Sequence, residues 1–155
     1  MENKLFTVLA FLFVFAANAQ KITEKDLLGK WNIISLTISG DKMDFKTGTI
    51  TVSEDWQKDG LQIAKSEREV LLKESLPYFR TTNVTFFENR FLSFRLGPED
   101  YSGNYAIVEE GGITYIQAEN SAVDRVPVML KEGLLYWELA IEEDIFYFVF
   151  EKAVK

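Results

Sequence analysis

Between residue 78 and the C-terminus the chain repeats one pattern, in which two apolar runs rich in aromatic and β-branched residues flank a short polar turn. The turns are Glu88-Asn89-Arg90, Glu110-Gly111-Gly112 and Lys131-Glu132-Gly133, and Asn89 suits the positive-φ position of the first one. Outer strands are predicted at Gly29–Ile38 and Ile145–Glu151. About eight strands at this spacing favour a closed barrel over a sandwich, because closure removes exposed strand edges. The sequence therefore predicts a mainly β fold, an antiparallel up-and-down barrel.

Residues 54–76 interrupt the β pattern. Residues at helical spacing in this segment are Leu61, Ala64, Arg68, Leu71, Leu72 and Leu76. This spacing predicts an amphipathic helix, inserted between early strands, that starts near Gly60 and is ended by Pro77. A weaker strand is predicted before it at Thr47–Ser53. We expect the helix to pack across an open edge or end of the sheet; the alternative is a helix that binds a membrane surface or a partner.

Residues 1–19 have the organisation of a cleavable signal peptide. Lys4 precedes the apolar run Leu5–Ala17, and Ala17-Asn18-Ala19 has the small-x-small spacing that signal peptidase recognises. This apolar run is shorter than a membrane span, which needs about 20 residues. The alternative is an N-terminal anchor that is not cleaved. Cleavage after Ala19 leaves one domain, residues 20–155, without a further span. No cysteine follows the cleavage site to carry a lipid, so we expect an exported bacterial protein, periplasmic or secreted.

Histidine and cysteine are both absent, and the formal net charge is −7. The chain therefore has no cysteine nucleophile, no Ser-His-Asp triad and no His/Cys zinc site. The acidic runs Glu54-Asp55, Glu109-Glu110 and Glu142-Glu143-Asp144 lie in predicted turns, where carboxylates are solvated and do not face each other across a cleft. Negative charge without basic clusters opposes binding to a phosphate backbone. We expect no enzyme activity, no metal, no cofactor and no nucleic-acid partner.

The segment Leu27-Leu28-Gly29-Lys30-Trp31 places a Gly-x-Trp motif at the start of the first predicted strand, directly after a short predicted helix at Lys21–Leu28. In this motif the chain resembles the lipocalins and the bacterial lipocalin-like, calycin-type barrels. The resemblance implies that Trp31 closes one end of the barrel beneath the helix, and that Gly29 lets the chain enter the barrel tightly. In that family an arginine of the last strand lies over the tryptophan; residues 145–155 contain no arginine, and Lys152 is the nearest substitute.

Aromatic residues on the predicted strands are candidates for lining a ligand cavity, since a barrel of about eight strands can hold one small ligand. The candidates are Phe86, Phe94, Tyr105, Tyr115, Tyr136, Trp137, Phe146 and Phe148. The resemblance implies an exported protein that binds a small apolar or amphipathic molecule inside the barrel. The alternative is a structural or interaction domain of the cell envelope, whose rings fill the barrel and which contacts another envelope protein. A cavity of ligand size would favour the first function, and a packed interior the second.

Overall fold

The computed structural model describes residues 21–54, 64–119, 125–141 and 144–154. The predicted leader, the predicted helix start near Gly60 with Leu61, and the acidic pair Glu142-Glu143 lie outside these ranges. The helices of the described chain are α1 (Glu24–Leu27) and α2 (Lys65–Phe79). Its strands are β1 (Gly29–Ile38), β2 (Asp41–Asp44), β3 (Ile50–Thr51), β4 (Asn83–Phe86), β5 (Phe91–Leu96), β6 (Glu99–Glu110), β7 (Ile113–Ala118), β8 (Arg125–Lys131), β9 (Leu134–Ile141) and β10 (Asp144–Lys152).

The strands form one antiparallel sheet that closes on itself. Each strand from β4 to β9 pairs with the next strand along the chain, β10 pairs with β1, and β1 pairs with β4. Eight strands therefore close the ring, which confirms the predicted mainly β, up-and-down barrel. The two edges of β1 explain the remaining strands. Its residues 29–32 pair with β4, whereas residues 35–38 pair with β2, and β2 carries β3 on its other edge.

The end of the barrel where β1 begins and β10 finishes is called the closed end here. Trp31 lies at this end with only 2% of its surface exposed. Its indole Nε1–H donates a hydrogen bond to the carbonyl oxygen of Leu27 at 2.6 Å, which ties the end of α1 to the start of β1. The ammonium nitrogen of Lys152 lies 5.1 Å from the centroid of the Trp31 ring. A lysine thus covers the tryptophan from the last strand.

The segment between β1 and α2 differs from the prediction. The sequence predicts one strand at Thr47–Ser53, whereas the structure has β2 and β3 on either side of a turn. The Asp44 carboxylate accepts a hydrogen bond from the Thr47 backbone N–H at 2.9 Å, so the chain reverses where an extended backbone is predicted. The β4–β5 hairpin also differs from the prediction, because its positive φ of 57° lies at Arg90 and not at Asn89.

Helix α2 runs past Pro77 to Phe79, so the prediction that Pro77 ends the helix is wrong. A proline in a helix removes one backbone donor and crowds the carbonyl one turn earlier. Near the helix end this affects only the last turn, and the backbone N–H of Arg80 still donates to the carbonyl oxygen of Leu76 at 3.0 Å. The helix therefore reaches the open end of the barrel, opposite the closed end, where Tyr78 lies against Gly97.

The face of α2 that meets the barrel carries one charged and three apolar residues at helical spacing. They are Arg68, Leu72, Leu76 and Phe79. Val70 and Leu71 are about half exposed, at 53% and 51%, although the helical spacing predicts Leu71 on the same face as Arg68 and Leu72. Apolar residues thus lie on more than one side of α2. Neither α1 nor α2 has the length and apolar character needed to cross a membrane.

Candidate ligand site

Aromatic rings fill the half of the barrel next to the closed end. Trp31, Phe86, Phe148 and Phe150 are buried there, none of them more than 2% exposed. Phe148 and Phe150 stack with their centroids 5.8 Å apart, and Phe150 also meets the edge of Trp137 at 6.3 Å. Offset and edge-to-face contacts at these distances are favourable between buried rings. This half of the barrel is packed like a protein core.

The other half of the barrel contains a cavity of about 680 Å³. Phe94 and Trp137 line it, and their rings stack with centroids 5.5 Å apart and planes 14° from parallel. Further apolar lining comes from Leu92 of β5, Ile116 of β7 and Leu139 of β9. Binding sites for small molecules commonly have volumes of about 300–1,000 Å³ and mainly apolar walls. The cavity therefore has the size and the surface of a small-molecule site.

Gly103 of β6 leaves part of this space open. It pairs with Leu92 and lies between Tyr101, which stacks on Phe94, and the buried Tyr105. Because alternate residues of a strand face the same side, a side chain at Gly103 would point into the barrel. A Cβ atom at this position would meet no heavy atom within 4 Å. The glycine thus removes one inward side chain at the level of the cavity.

The barrel wall opens between β8 and β9. Their ladder runs from the Lys131–Leu134 pair to the Val128–Trp137 pair and stops there in the described ranges. Beyond it, residues 125–127 pair with β7 and residues 138–141 pair with β10. Pro127 has no N–H to donate, which suits a strand position where a ladder is interrupted. Both sides of this gap, here called the seam, line the cavity, so the cavity reaches the protein surface through it.

Two residues on the cavity wall carry buried polar atoms without a hydrogen-bond partner among the described residues. These atoms are the Tyr105 hydroxyl and the Trp137 Nε1–H, on residues that are 2% and 5% exposed. Burial raises the pKa of Tyr105, the charge of Glu24 raises it further and Arg90 lowers it, so the phenol keeps its proton at neutral pH. An unpaired buried polar group costs about 1–3 kcal/mol. Neither atom is exposed to the cavity, because surrounding protein atoms cover both completely.

The structure places the eight predicted lining residues in three groups. Phe94, Tyr105 and Trp137 line the cavity. Phe86, Phe146 and Phe148 belong to the packed aromatic interior or lie against it. Tyr115 and Tyr136 alternate with inward-facing residues and lie on the outer surface of the barrel, where the Arg125 guanidinium covers Tyr115 at 4.9 Å from the ring centroid. Apart from Tyr115 and Tyr136, the predicted residues therefore face the interior.

Several features of the site have little or no signal in the sequence. Gly103 is one of nine glycines, and only its place in the strand register shows that it faces the interior. Pro127 is the exception, because a proline within an apolar, β-branched run is a recognisable signal for a broken ladder. Glu138 lies between Trp137 and Leu139 and is the only charged residue in the described part of β9. In the described chain, no three acidic side chains group closely enough to hold a metal ion.

No protein-family model matches this chain, and no curated protein shows significant similarity to it. What the structure defines is a closed eight-stranded antiparallel barrel, an architecture compatible with the calycin-like fold.

Proposed function

We propose that this protein binds a small apolar or amphipathic molecule in the cavity of the barrel. The observation that carries the proposal is a mainly apolar cavity of about 680 Å³, whose wall includes the stacked rings of Phe94 and Trp137. A ligand with an apolar body would cover these rings and remove their surface from water. The packed interior near the closed end holds the strands in place while the other half stays open.

The proposal predicts binding of a neutral apolar dye with an acceptor group. We expect prodan, a neutral naphthalene ketone, to show enhanced and blue-shifted emission with this protein, because the cavity removes it from water. Excitation of tryptophan should also transfer energy to the dye, since Trp137 lines the cavity. The measurement is a fluorescence titration that yields the dissociation constant.

The variant Gly103→Leu separates cavity binding from surface binding. A leucine side chain at this position extends into open space within the barrel, so it should weaken prodan binding by at least about tenfold without lowering the melting temperature. Ser93→Leu is the matched control, because Ser93 lies on the outer face of the neighbouring strand. Equal affinity in the wild type and Gly103→Leu would show that the dye does not bind in the cavity. If the wild type binds no dye at all, the barrel is better described as an interaction domain.

We also propose that the protein is exported and that its leader is removed after Ala19. This rests on the apolar run and the small-x-small sequence of residues 5–19. When the full chain is expressed in a bacterium, intact mass spectrometry of the exported fraction should give a product that begins at Gln20. Ala19→Arg should block cleavage because the peptidase requires a small residue there, whereas Asn18→Ser at the variable position should be processed normally. An exported product that retains residues 1–19 would contradict the proposal.

A further inference from the structure

Glu138 has an unusual setting for a carboxylate. It lies on the seam at the rim of the cavity and is only partly exposed, and its side chain points to the outer face of the barrel because it alternates with the inward-facing Trp137 and Leu139. No hydrogen bond or ion pair holds its carboxylate among the residues that the structure describes. Burial alone raises the pKa of Glu138. On the adjacent β10, Tyr147 is its cross-strand partner, and the pKa of Tyr147 is raised by burial and then by the charge of Glu138.

Arg125 is the other charged residue that the structure describes at the seam, and its charge is already compensated. Arg125 on β8 forms an ion pair with Glu110, and its guanidinium also lies over the ring of Tyr115, 4.9 Å from the centroid. These two contacts hold Arg125 on the outer surface of β7 and β8. Among the residues described at the opening of the cavity, the uncompensated charge is therefore the negative charge of Glu138.

We propose that the ligand carries an amine or another cationic group, which lies at the outer mouth of the seam against Glu138 while the apolar body occupies the cavity. This inference rests on the proposed function and specifies its ligand class. A partly desolvated carboxylate attracts a cation more strongly than an exposed one, because the effective dielectric constant is lower. A hydrogen bond to a charged group corresponds to about a tenfold to hundredfold gain in affinity.

Three compounds with the same chain and different charge test this inference. Decylammonium and decanoate, each below its critical micelle concentration, and decanol, below its solubility limit, are titrated against the wild-type protein with bound prodan. We expect decylammonium to displace the dye at a concentration at least about tenfold lower than decanol, and decanoate to be the weakest competitor.

The variant Glu138→Gln keeps the size of the side chain and removes its charge. In this variant the preference for decylammonium over decanol should disappear, while decanol binds as it does to the wild type. Glu74→Gln, at an exposed position of α2, is the matched control and should keep the preference. A preference that survives in Glu138→Gln, or a wild type that binds decanol as well as decylammonium, overturns the inference.

A second measurement does not depend on the stability of the variant. In an NMR titration of the wild-type side-chain carboxyl groups, saturating decylammonium should lower the pKa of Glu138, because a nearby cation favours the charged form. Decanol should not lower it, and an equal pKa with both compounds overturns the inference. Failure of the proposed function looks different, because then neither prodan nor any of the three compounds binds.

Discussion

Trp31→Ala is expected to lower the free energy of unfolding by about 3–5 kcal/mol, the range for truncating a fully buried aromatic side chain. The ring is 2% exposed and lies where the first strand, the N-terminal helix and the last strand meet. Its removal leaves a cavity at the closed end and also leaves the Leu27 carbonyl oxygen without its donor. The measurement is equilibrium unfolding in urea, followed by far-UV circular dichroism.

Two milder variants separate the contributions of Trp31. Trp31→Phe keeps an aromatic ring but loses the hydrogen bond to Leu27, so we expect a loss of about 1–3 kcal/mol. Lys152→Met keeps the apolar part of the lysine and removes the cation over the ring, which should cost about 0.5–1 kcal/mol. If Trp31→Ala costs less than about 1 kcal/mol, Trp31 does not close the barrel, and the resemblance to lipocalins loses its main residue.

The architecture was predictable because its signals are local. Each hairpin of the second half combines apolar runs with glycine or a charged residue in the turn, and positive φ occurs at Gly111, Gly112 and Gly133 as such turns require. The pairing of β10 with β1 then follows, because a meander of about eight strands leaves two edges that can cover each other. The extent of α2 was less predictable, since the cost of a proline depends on how many helical residues follow it.

The cavity residues were predicted from residue type alone. The alternation of inward and outward side chains along each strand was also needed to predict them. Tyr136 and Trp137 are neighbours in one strand and therefore cannot both face the interior. Tyr115 lies between Thr114 and Ile116, which are 5% and 3% exposed and face the interior. If only every second residue of each strand had been assigned to the interior, Tyr115 and Tyr136 would not have been predicted as cavity residues.

The seam could not be predicted from any single strand. It arises because the ladder of β8 with β9 ends at Val128 while the ladder of β8 with β7 continues. That difference depends on the register of three strands relative to one another. Pro127 marks where a ladder bond is missing, but the sequence does not say which neighbouring strand loses its partner. The sequence also does not show that the charge of Glu138 is uncompensated, because this depends on which residues of β8 lie across the seam.

A buried ion pair connects α2 to the early strands. Arg68 and Asp41 are each 5% exposed, and one Arg68 Nη1 donates to both carboxylate oxygens of Asp41, at 3.0 and 3.1 Å. Asp41 also accepts from the backbone N–H of Ser53 at 2.8 Å, and Arg68 Nη2 donates to the Ser53 carbonyl oxygen. The cluster joins the helix, β2 and the segment after β3 through charge-assisted hydrogen bonds.

Arg68→Met is expected to lower the free energy of unfolding by about 3–5 kcal/mol, because it leaves the Asp41 charge buried without its partner. The double variant Arg68→Met/Asp41→Leu should recover most of this loss, since replacing both partners with apolar residues leaves no uncompensated charge. Lys73→Met breaks the exposed pair between Lys73 and Glu69 on the same helix. As the control, Lys73→Met should lower the free energy of unfolding by only about 0.3–0.5 kcal/mol.

The three variants and the wild type are compared by urea unfolding at neutral pH, and amide hydrogen exchange shows where stability is lost. If the cluster anchors α2, exchange in Arg68→Met should accelerate most in α2, β2 and β3, while β5 to β10 keep more of their protection, because their ladders do not include these groups. A uniform loss of protection would mean that the helix and the barrel unfold as one unit. A loss no larger than that of Lys73→Met would show that Arg68 and Asp41 are solvated and do not hold α2 in place.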